Sequence, residues 1–316
     1  MIGFFLHDGK AQDRHNKKLL NSEVSLLVEN DVFTSFYEDS YYSSGIFARY
    51  SHVVDTSKIR SGAIKSIRRY EFLQRIYTAK KTNWSNVELM DRPYAGTLSL
   101  AIMQDWYYDN HQYLQLKIEI GWMGPGSLTG DIHQSWHRFF GLPKINGWHT
   151  QLSDAPLVNA HTKHAFEVFK LYGKLNTFDC DLSMESNLSL GTIYNHFHER
   201  ALIRLGRFES LERSMYYGNT LGDTKSKPLS IKTTEIFLFY SPGVRFTIYD
   251  GTLQGGLIAR ESVFTKQPNQ WVFIHSFGFM ARYHILDIGY AIHHLGKETN
   301  GVGRHKYGGI ILNLRF

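Results

Sequence analysis

From Glu23 onward the chain alternates apolar and polar residues with a period of two, over runs long for an ordinary strand. Between Tyr113 and Trp122, one face carries Leu114, Leu116, Ile118, Ile120 and Trp122; the other carries Tyr113, Gln115, Lys117, Glu119 and Gly121. A period of two puts one face of a strand in an apolar medium and the other in a polar one. The pattern returns in Leu182, Met184, Leu188 and Leu190, in Phe277, Phe279 and Tyr283, and in Ile288, Tyr290 and Ile292. It runs to the end of the chain through Ile310, Leu312, Leu314 and Phe316. A soluble sandwich alternates too, so the period alone leaves two fold classes open. The runs are about 9 to 15 residues and their apolar faces often end in Trp or Tyr, as a tilted strand crossing an apolar band about 25 Å tall requires. An open sheet would leave unpaired edges that lipid does not tolerate. The expected fold is all-β: an antiparallel transmembrane β-barrel of about twelve strands over residues 23–316, after a polar extension, 1–22.

The runs lie near 23–29, 44–54, 67–77, 95–107, 113–123, 162–173, 179–194, 199–208, 234–248, 270–283, 285–295 and 306–316. Pro242 interrupts the ninth, which suggests a bulge or a shorter strand there. The terminal Phe316 in alternating register resembles the C-terminal signal of bacterial outer-membrane barrels. Connections after odd-numbered runs then share the rim opposite the termini: 30–43, 78–94, 124–161, 195–198 and 249–269. With periplasmic termini that rim faces outside the cell. The formal net charge of +6 suits an anionic partner such as phospholipid or lipopolysaccharide. No helix-turn-helix, zinc-finger or RNP-like pattern points to nucleic acid. A single cysteine, Cys180, excludes an internal disulfide framework. No apolar run is long enough for a transmembrane helix, and the apolar stretch from Ile2 to Leu6 is too short for a signal-peptide core. For an exported protein this implies a start that is truncated or misassigned.

The rim connections hold the chemistry-bearing residues. The first begins at Asn30-Asp31 and ends at Tyr41-Tyr42-Ser43-Ser44-Gly45, offering hard oxygen donors at both roots of one loop. Such donors suit Ca²⁺ better than a transition metal, although Asn-Asp is also ordinary turn chemistry. The second holds Lys80 and Lys81, which are a phosphate contact or a solvated tip, and then Asp91-Arg92-Pro93-Tyr94-Ala95-Gly96, where Arg92-Pro93 reads as a turn into the next strand. In the third, 124–143, Ile132, Trp136, Phe139 and Phe140 form one apolar helical stripe, with Asp131 in the first turn and Gly141 and Pro143 as stop signals. His133 and His137 lie one turn apart beside that stripe. With 16 histidines in the chain, His137 alone is more often structural than catalytic, and neither His196 with His198 nor His293 with His294 has partners for zinc.

Taken in order, Asn30-Asp31, Tyr42 to Gly45, Asp91 to Gly96, and Gly124-Pro125-Gly126 followed by Trp136-His137-Arg138, Gly141, Gly147-Trp148 and Gln151-Leu152 resemble the outer-membrane lipid A 3′-O-deacylase (LpxR) family. The resemblance spans roughly 23–316, with its motifs concentrated in the first half. It implies a twelve-stranded barrel that hydrolyses the 3′-linked acyl ester of lipid A with Ca²⁺, at the outer face of the bacterial outer membrane. Asn30, Asp31 and Ser43 would form the calcium end of the site, Ser43 keeping the hydroxyl where the family often has threonine. His137 would activate the water, and the family's loop lysine falls on Lys80 or Lys81. The expected partners are lipopolysaccharide and outer-membrane lipid, with the protein a monomer. A non-enzymatic barrel (a porin or a surface protein) and a phospholipase on the same scaffold are the alternatives.

Overall fold

The structure, a computed structural model, describes residues 20–34, 41–55, 62–82, 86–171, 178–218, 221–222 and 234–316. Residues 1–19, the bulk of the expected polar extension, lie outside the described residues. In chain order the elements are β1 (Ser22–Asn30), β2 (Tyr41–Val53), β3 (Lys65–Thr78), β4 (Ala95–Tyr108), β5 (Gln112–Met123), α1 (Thr129–Phe139), β6 (Ala155–Leu171), β7 (Asp179–Gly191), β8 (Tyr194–Arg207), β9 (Ile236–Asp250), α2 (Gly251–Gln254), β10 (Trp271–Tyr283), β11 (Leu286–Leu295) and β12 (His305–Arg315). Among the described residues the twelve strands form one closed antiparallel barrel, each paired with its neighbour in sequence. The seam is β1 against β12, from Glu23 opposite Arg315 to Asn30 opposite Gly308. Ser22 and Phe316 exchange backbone hydrogen bonds at 3.0 and 2.9 Å, so the seam closes at its last residue. Among the described residues no helix is long and apolar enough to cross a membrane.

The alternation in sequence becomes an inside and an outside. On β3, β4 and β5, Tyr70, Phe72, Leu100, Ile102, Leu116, Ile118, Ile120 and Trp122 are exposed on the outer wall. Their neighbours Arg69, Glu71, Asp105 and Glu119 are buried in the lumen. Buried charges are tolerable only when paired. Arg69 Nε meets Asp105 at 2.5 Å, Arg75 meets Glu119 at 2.8 Å, Arg204 meets Asp181 at 2.5 Å, and Arg282 meets Glu235 at 2.8 Å and Asp287 at 3.1 Å. These pairs tie neighbouring strands together along the inner wall.

The strands differ from expectation by three residues or more at four ends, the first being β2, which begins at Tyr41 rather than 44. β6 begins at Ala155 rather than 162, β7 ends at Gly191 rather than 194, and β8 begins at Tyr194 rather than 199. The third rim connection is therefore 124–154, and the fourth shrinks to 192–193. In the early part of β6 one face carries Ala155, Leu157, Asn159 and His161 and the other Pro156, Val158 and Ala160, so apolar residues on both faces blur the contrast that marks a strand. Pro242 does not end β9, which is continuous through it. Proline has no N–H to give β8, and the Ser241 hydroxyl instead donates to the Ala201 carbonyl at 2.8 Å.

The connection after β8 turns back into the barrel at the termini's rim. Leu211, Met215, Tyr217 and Leu221 pack with the lumen-facing Ile67, Tyr107, Tyr113, Leu202, Phe237, Phe239 and Met280. Arg69 Nη2 donates to the Gly218 carbonyl at 2.8 Å, and the Tyr107 hydroxyl donates to the Tyr217 carbonyl at 2.8 Å. This apolar plug, tied by its backbone to the wall, fills that end of the lumen.

Candidate functional site

The first candidate residues are brought together by strand register. Asn30, the last residue of β1, lies opposite Ser44 of β2. Val24 and Leu26 are exposed to the outside, so alternation places Asn30 on the outer wall as well. Its Oδ1 accepts from Val32 N at 2.8 Å and caps the 3₁₀ turn Asp31–Phe33. An amide oxygen has two lone pairs, so one remains for another donor or a cation. Asp31 is buried at 2 % exposure at the start of that turn. A β-bulge between Tyr42 and Ser44 admits Ser43. Tyr42 points inward, its hydroxyl donating to Glu29 at 2.5 Å, while Ser43 turns outward and shares a hydrogen bond with the Thr78 hydroxyl of β3. An amide and two hydroxyls thus line the outer wall across three neighbouring strands, and the buried Asp31 follows Asn30 in the chain.

The outer wall is covered beside this cluster. Along β3, Tyr70 and Phe72 are exposed, but Gln74, Ile76 and Thr78, further along the same outward row, are buried. What covers them is the connection after β5: α1 packs on β3 and β4. Ile76 and Ala79 join Met90, Tyr94, Ile145, Trp148 and Phe264 in one apolar cluster. The candidate site therefore lies between the barrel's outer wall and α1, rather than in the lumen.

The segment Asp91 to Gly96, in which Arg92-Pro93 is expected to turn into the next strand, is the frame of this arrangement. Asp91 Oδ1 accepts from the backbone N–H of Lys80 at 3.1 Å and of Lys81 at 3.0 Å, and its Oδ2 accepts from the Tyr41 hydroxyl at 3.0 Å. Arg92 is fully buried. It donates to Thr252 of α2 at 2.7 Å, pairs with Glu298 at 3.4 Å and lies over the Tyr77 ring. Glu298 also takes Arg245 at 2.8 Å. Burial alone would raise the Glu298 carboxyl, but the guanidinium groups of Arg92 and Arg245 outweigh it and hold it below its ordinary value. Tyr94 packs edge-on against Trp148, with ring centroids 5.5 Å apart. At Gly96 an added Cβ would stand 2.5 Å from Thr129 Cβ, so only glycine lets α1 approach the wall there.

α1 is entered through Gly124 (φ 92°) and Leu128 (φ 56°) and left through Gly141 (φ 66°). Thr129, Gly130 and His133 face the wall and are buried. His133 packs edge-on against Trp148 at 5.8 Å and against His137 at 4.7 Å between centroids. His137 Nδ1 lies 2.8 Å from the Pro143 carbonyl. A carbonyl only accepts, so Nδ1 carries the proton, and in a neutral ring Nε2 holds the lone pair. Asn30, Asp31 and Ser43 are thus gathered by β1 and β2, while His137 reaches the same wall by a separate route, through α1. Lys80 and Lys81 follow Thr78 after Ala79, just past the end of β3, with exposed side chains. Among the described residues no group of three His, Cys, Asp or Glu side chains could hold a metal ion. Thr78 and Gln74 were not singled out in the sequence; their signal is the outward parity they share with Phe72.

A model of the outer-membrane protein LpxR family matches residues 2–316. The chain belongs to the LpxR family of outer-membrane proteins. Among solved structures it is similar to LpxR from Salmonella typhimurium, with a TM-score of 0.74 and 18 % identity, covering 93 % of this chain and 100 % of that one. It is less similar to the transport unit of the autotransporter AIDA-I from Escherichia coli, with a TM-score of 0.44 and 8 % identity over 99 % of this chain and 93 % of that one. No curated protein sequence matches it. An LpxR-family barrel with an apolar outer wall is an outer-membrane protein, and the expected fold class and family both hold.

Proposed function

We propose that the protein is a lipid A deacylase, hydrolysing the 3′-linked acyl ester as a monomer with its site facing the cell exterior. The observation that carries this reading is the position of the site: Asn30, Asp31, Ser43 and His137 belong to the outer wall and the helix laid on it. A substrate held in a leaflet can reach that gap laterally, with its acyl chains still along the apolar wall. A site for a water-soluble substrate would gain nothing from facing lipid.

The donor set fits a hard cation. Asn30 Oδ1, the Asp31 carboxylate and Ser43 Oγ are the oxygen types that suit Ca²⁺, and one carboxylate among neutral oxygens is a combination that hard cations accept and zinc does not favour. When bound there, Ca²⁺ supplies Lewis-acid polarisation of an ester carbonyl. The remaining work falls to His137. With Nδ1–H fixed on Pro143 O, Nε2 faces the reaction as the basic nitrogen, takes a proton from water as the hydroxyl adds to the carbonyl carbon, and returns it to the departing sugar oxygen. The products are a fatty acid and a free sugar hydroxyl. Lys80 and Lys81, on a loop pinned through Asp91, are the groups for the sugar phosphate.

Mass spectrometry of lipid A from cells with and without the gene tests the proposal. The expected result is a species lighter by the 3′-linked acyl group, abolished by chelation of Ca²⁺. Unaltered lipid A with the folded barrel present would overturn it, and release of fatty acid from glycerophospholipid alone would establish a phospholipase instead.

A further inference from the structure

α1 shows its apolar stripe to the outside. Amphipathic helices ordinarily turn that stripe to the core, yet α1 buries Thr129, Gly130 and His133 and leaves Ile132, Trp136 and Phe139 exposed, Trp136 at 54 % and Phe139 at 83 %. Successive residues advance roughly 100° around a helix. Taking the buried face as reference, Ile132, Trp136 and Phe139 fall on one flank, and Gln134, Arg138 and Asp131 on the opposite one. Phe140 stacks on both Trp136 and Phe139, with centroids at 4.5 and 4.9 Å, which extends the apolar flank past the helix end. Leu128 adds to the other end. It holds φ 56°, a conformation costly for leucine and easy for glycine, while its side chain is exposed. A leucine there gains nothing inside the protein.

We infer that α1 is an interfacial helix whose flank of Leu128, Ile132, Trp136, Phe139 and Phe140 is seated in the acyl-chain layer of the membrane leaflet at the rim opposite the termini. The occupant is identified by continuity. α1 lies on the outer wall immediately beyond the exposed Tyr70 and Phe72 of β3 and Leu100 and Ile102 of β4, which are the barrel's own lipid-facing band. A helix fixed there has one flank toward the bilayer and one toward the aqueous side, and its two flanks differ in the matching way. Trp136 and Phe139 are the side chains such a boundary favours. A second protein copy is a poorer occupant: a stable interface buries about 1,200–2,000 Å², beyond what one flank of an 11-residue helix offers. The inference does not rest on the proposed hydrolysis.

The test places a single nitroxide label on each flank. In a Cys180→Ser background, Phe139→Cys and Gln134→Cys variants are labelled and reconstituted into vesicles of phosphatidylethanolamine and phosphatidylglycerol. The expected result is a Phe139 label relaxed by oxygen and shielded from a water-soluble nickel chelate, with the Gln134 label showing the reverse. Equal access of both labels to the nickel chelate would overturn the inference, as would spin–spin broadening at Phe139 that marks a second copy. A Trp136→Gln/Phe139→Gln variant gives an independent arm. Its heat-modifiable mobility reports folding, and its fluorescence should lose most of the blue shift that the wild type gains on transfer from mild detergent to vesicles. An unchanged shift would count against the inference even if hydrolysis were lost.

Discussion

At the scale of single residues, His137 and Arg92 make opposite demands. His137 is half-exposed and held through one ring nitrogen, so its removal tests chemistry rather than folding. His137→Ala should lower deacylation by about 10²–10⁴-fold, the usual contribution of a general base, with the barrel still folded on unheated gels; full activity would remove His137 from the mechanism. Arg92 is buried and carries structure. Because Glu298 has a depressed carboxyl in the fold, the tie it makes with Arg92 and Arg245 is fully present above the ordinary value of 4.5 and is lost as pH falls through its lower folded value. Hydrogen exchange in residues 296–304, corrected for intrinsic rates, should therefore accelerate only below about pH 4.5. Arg92→Gln should move that onset upward, since burial then acts with less opposition; an unmoved onset would show that Glu298 does not hold these loops. Asn30, Asp31, Ser43 and His137 are proposed as the site from the sequence because their motifs occur in a fixed order. Thr78 and Gln74 were not legible there, because their place depends on what covers the wall of β3, and no local pattern reports that.

At the scale of elements, strand pairing and α1 were legible for different reasons. The strands announced themselves by period two, and α1 by its stripe and its glycine stop, Gly141 at φ 66°. The stripe could not say which way α1 faces. Ordinary reasoning buries it, whereas small residues set the actual contact: Gly96 against Thr129, and Gly130 against Trp148. The starts of β6 and β8 were hidden because their lumen faces carry Asn159, His161, His196 and His198, which belong to neither side of a binary pattern. The contact at Gly96 yields a prediction about α1 as a unit. Gly96→Ala sets a methyl 2.5 Å from Thr129 Cβ and must lift the helix start from the wall. Activity should fall at least about tenfold, a shift of around 1 Å at a site being enough, while the barrel itself keeps its thermal resistance. Adding Thr129→Gly removes the opposing atom and should restore most of the loss. A double variant as impaired as the single one would show that the close approach is not what positions α1.

At the scale of the whole molecule, the question is whether a closed barrel of twelve strands is also a channel. A barrel of this size lies between the roughly eight strands whose interior side chains fill and the about 16–18 that leave an aqueous channel, and the inner wall of this one is lined by paired charges along its length. Sequence parity put the long connection after the eighth strand on the termini's side but gave no reason for it to enter the barrel. The reason lies in Leu211, Met215, Tyr217 and Leu221, four apolar side chains without a strand to carry them, which the lumen-facing Tyr107, Tyr113, Phe237 and Phe239 receive. Arg69 then serves twice, bracing Asp105 and holding the Gly218 carbonyl. Such a barrel should be electrically silent. In planar bilayers the wild type should show no single-channel steps, and steady conductance would overturn the account of the plug. Replacing residues 209–222 by an equal length of Gly and Ser removes the apolar anchors but leaves the ion pairs of the wall; small, flickering conductance should appear, while deacylation on the outer wall at the far rim persists. Loss of deacylation together with the gain of conductance, in a barrel that still folds, would mean that lumen and outer wall are coupled, and that the plug holds the shape on which α1 is laid.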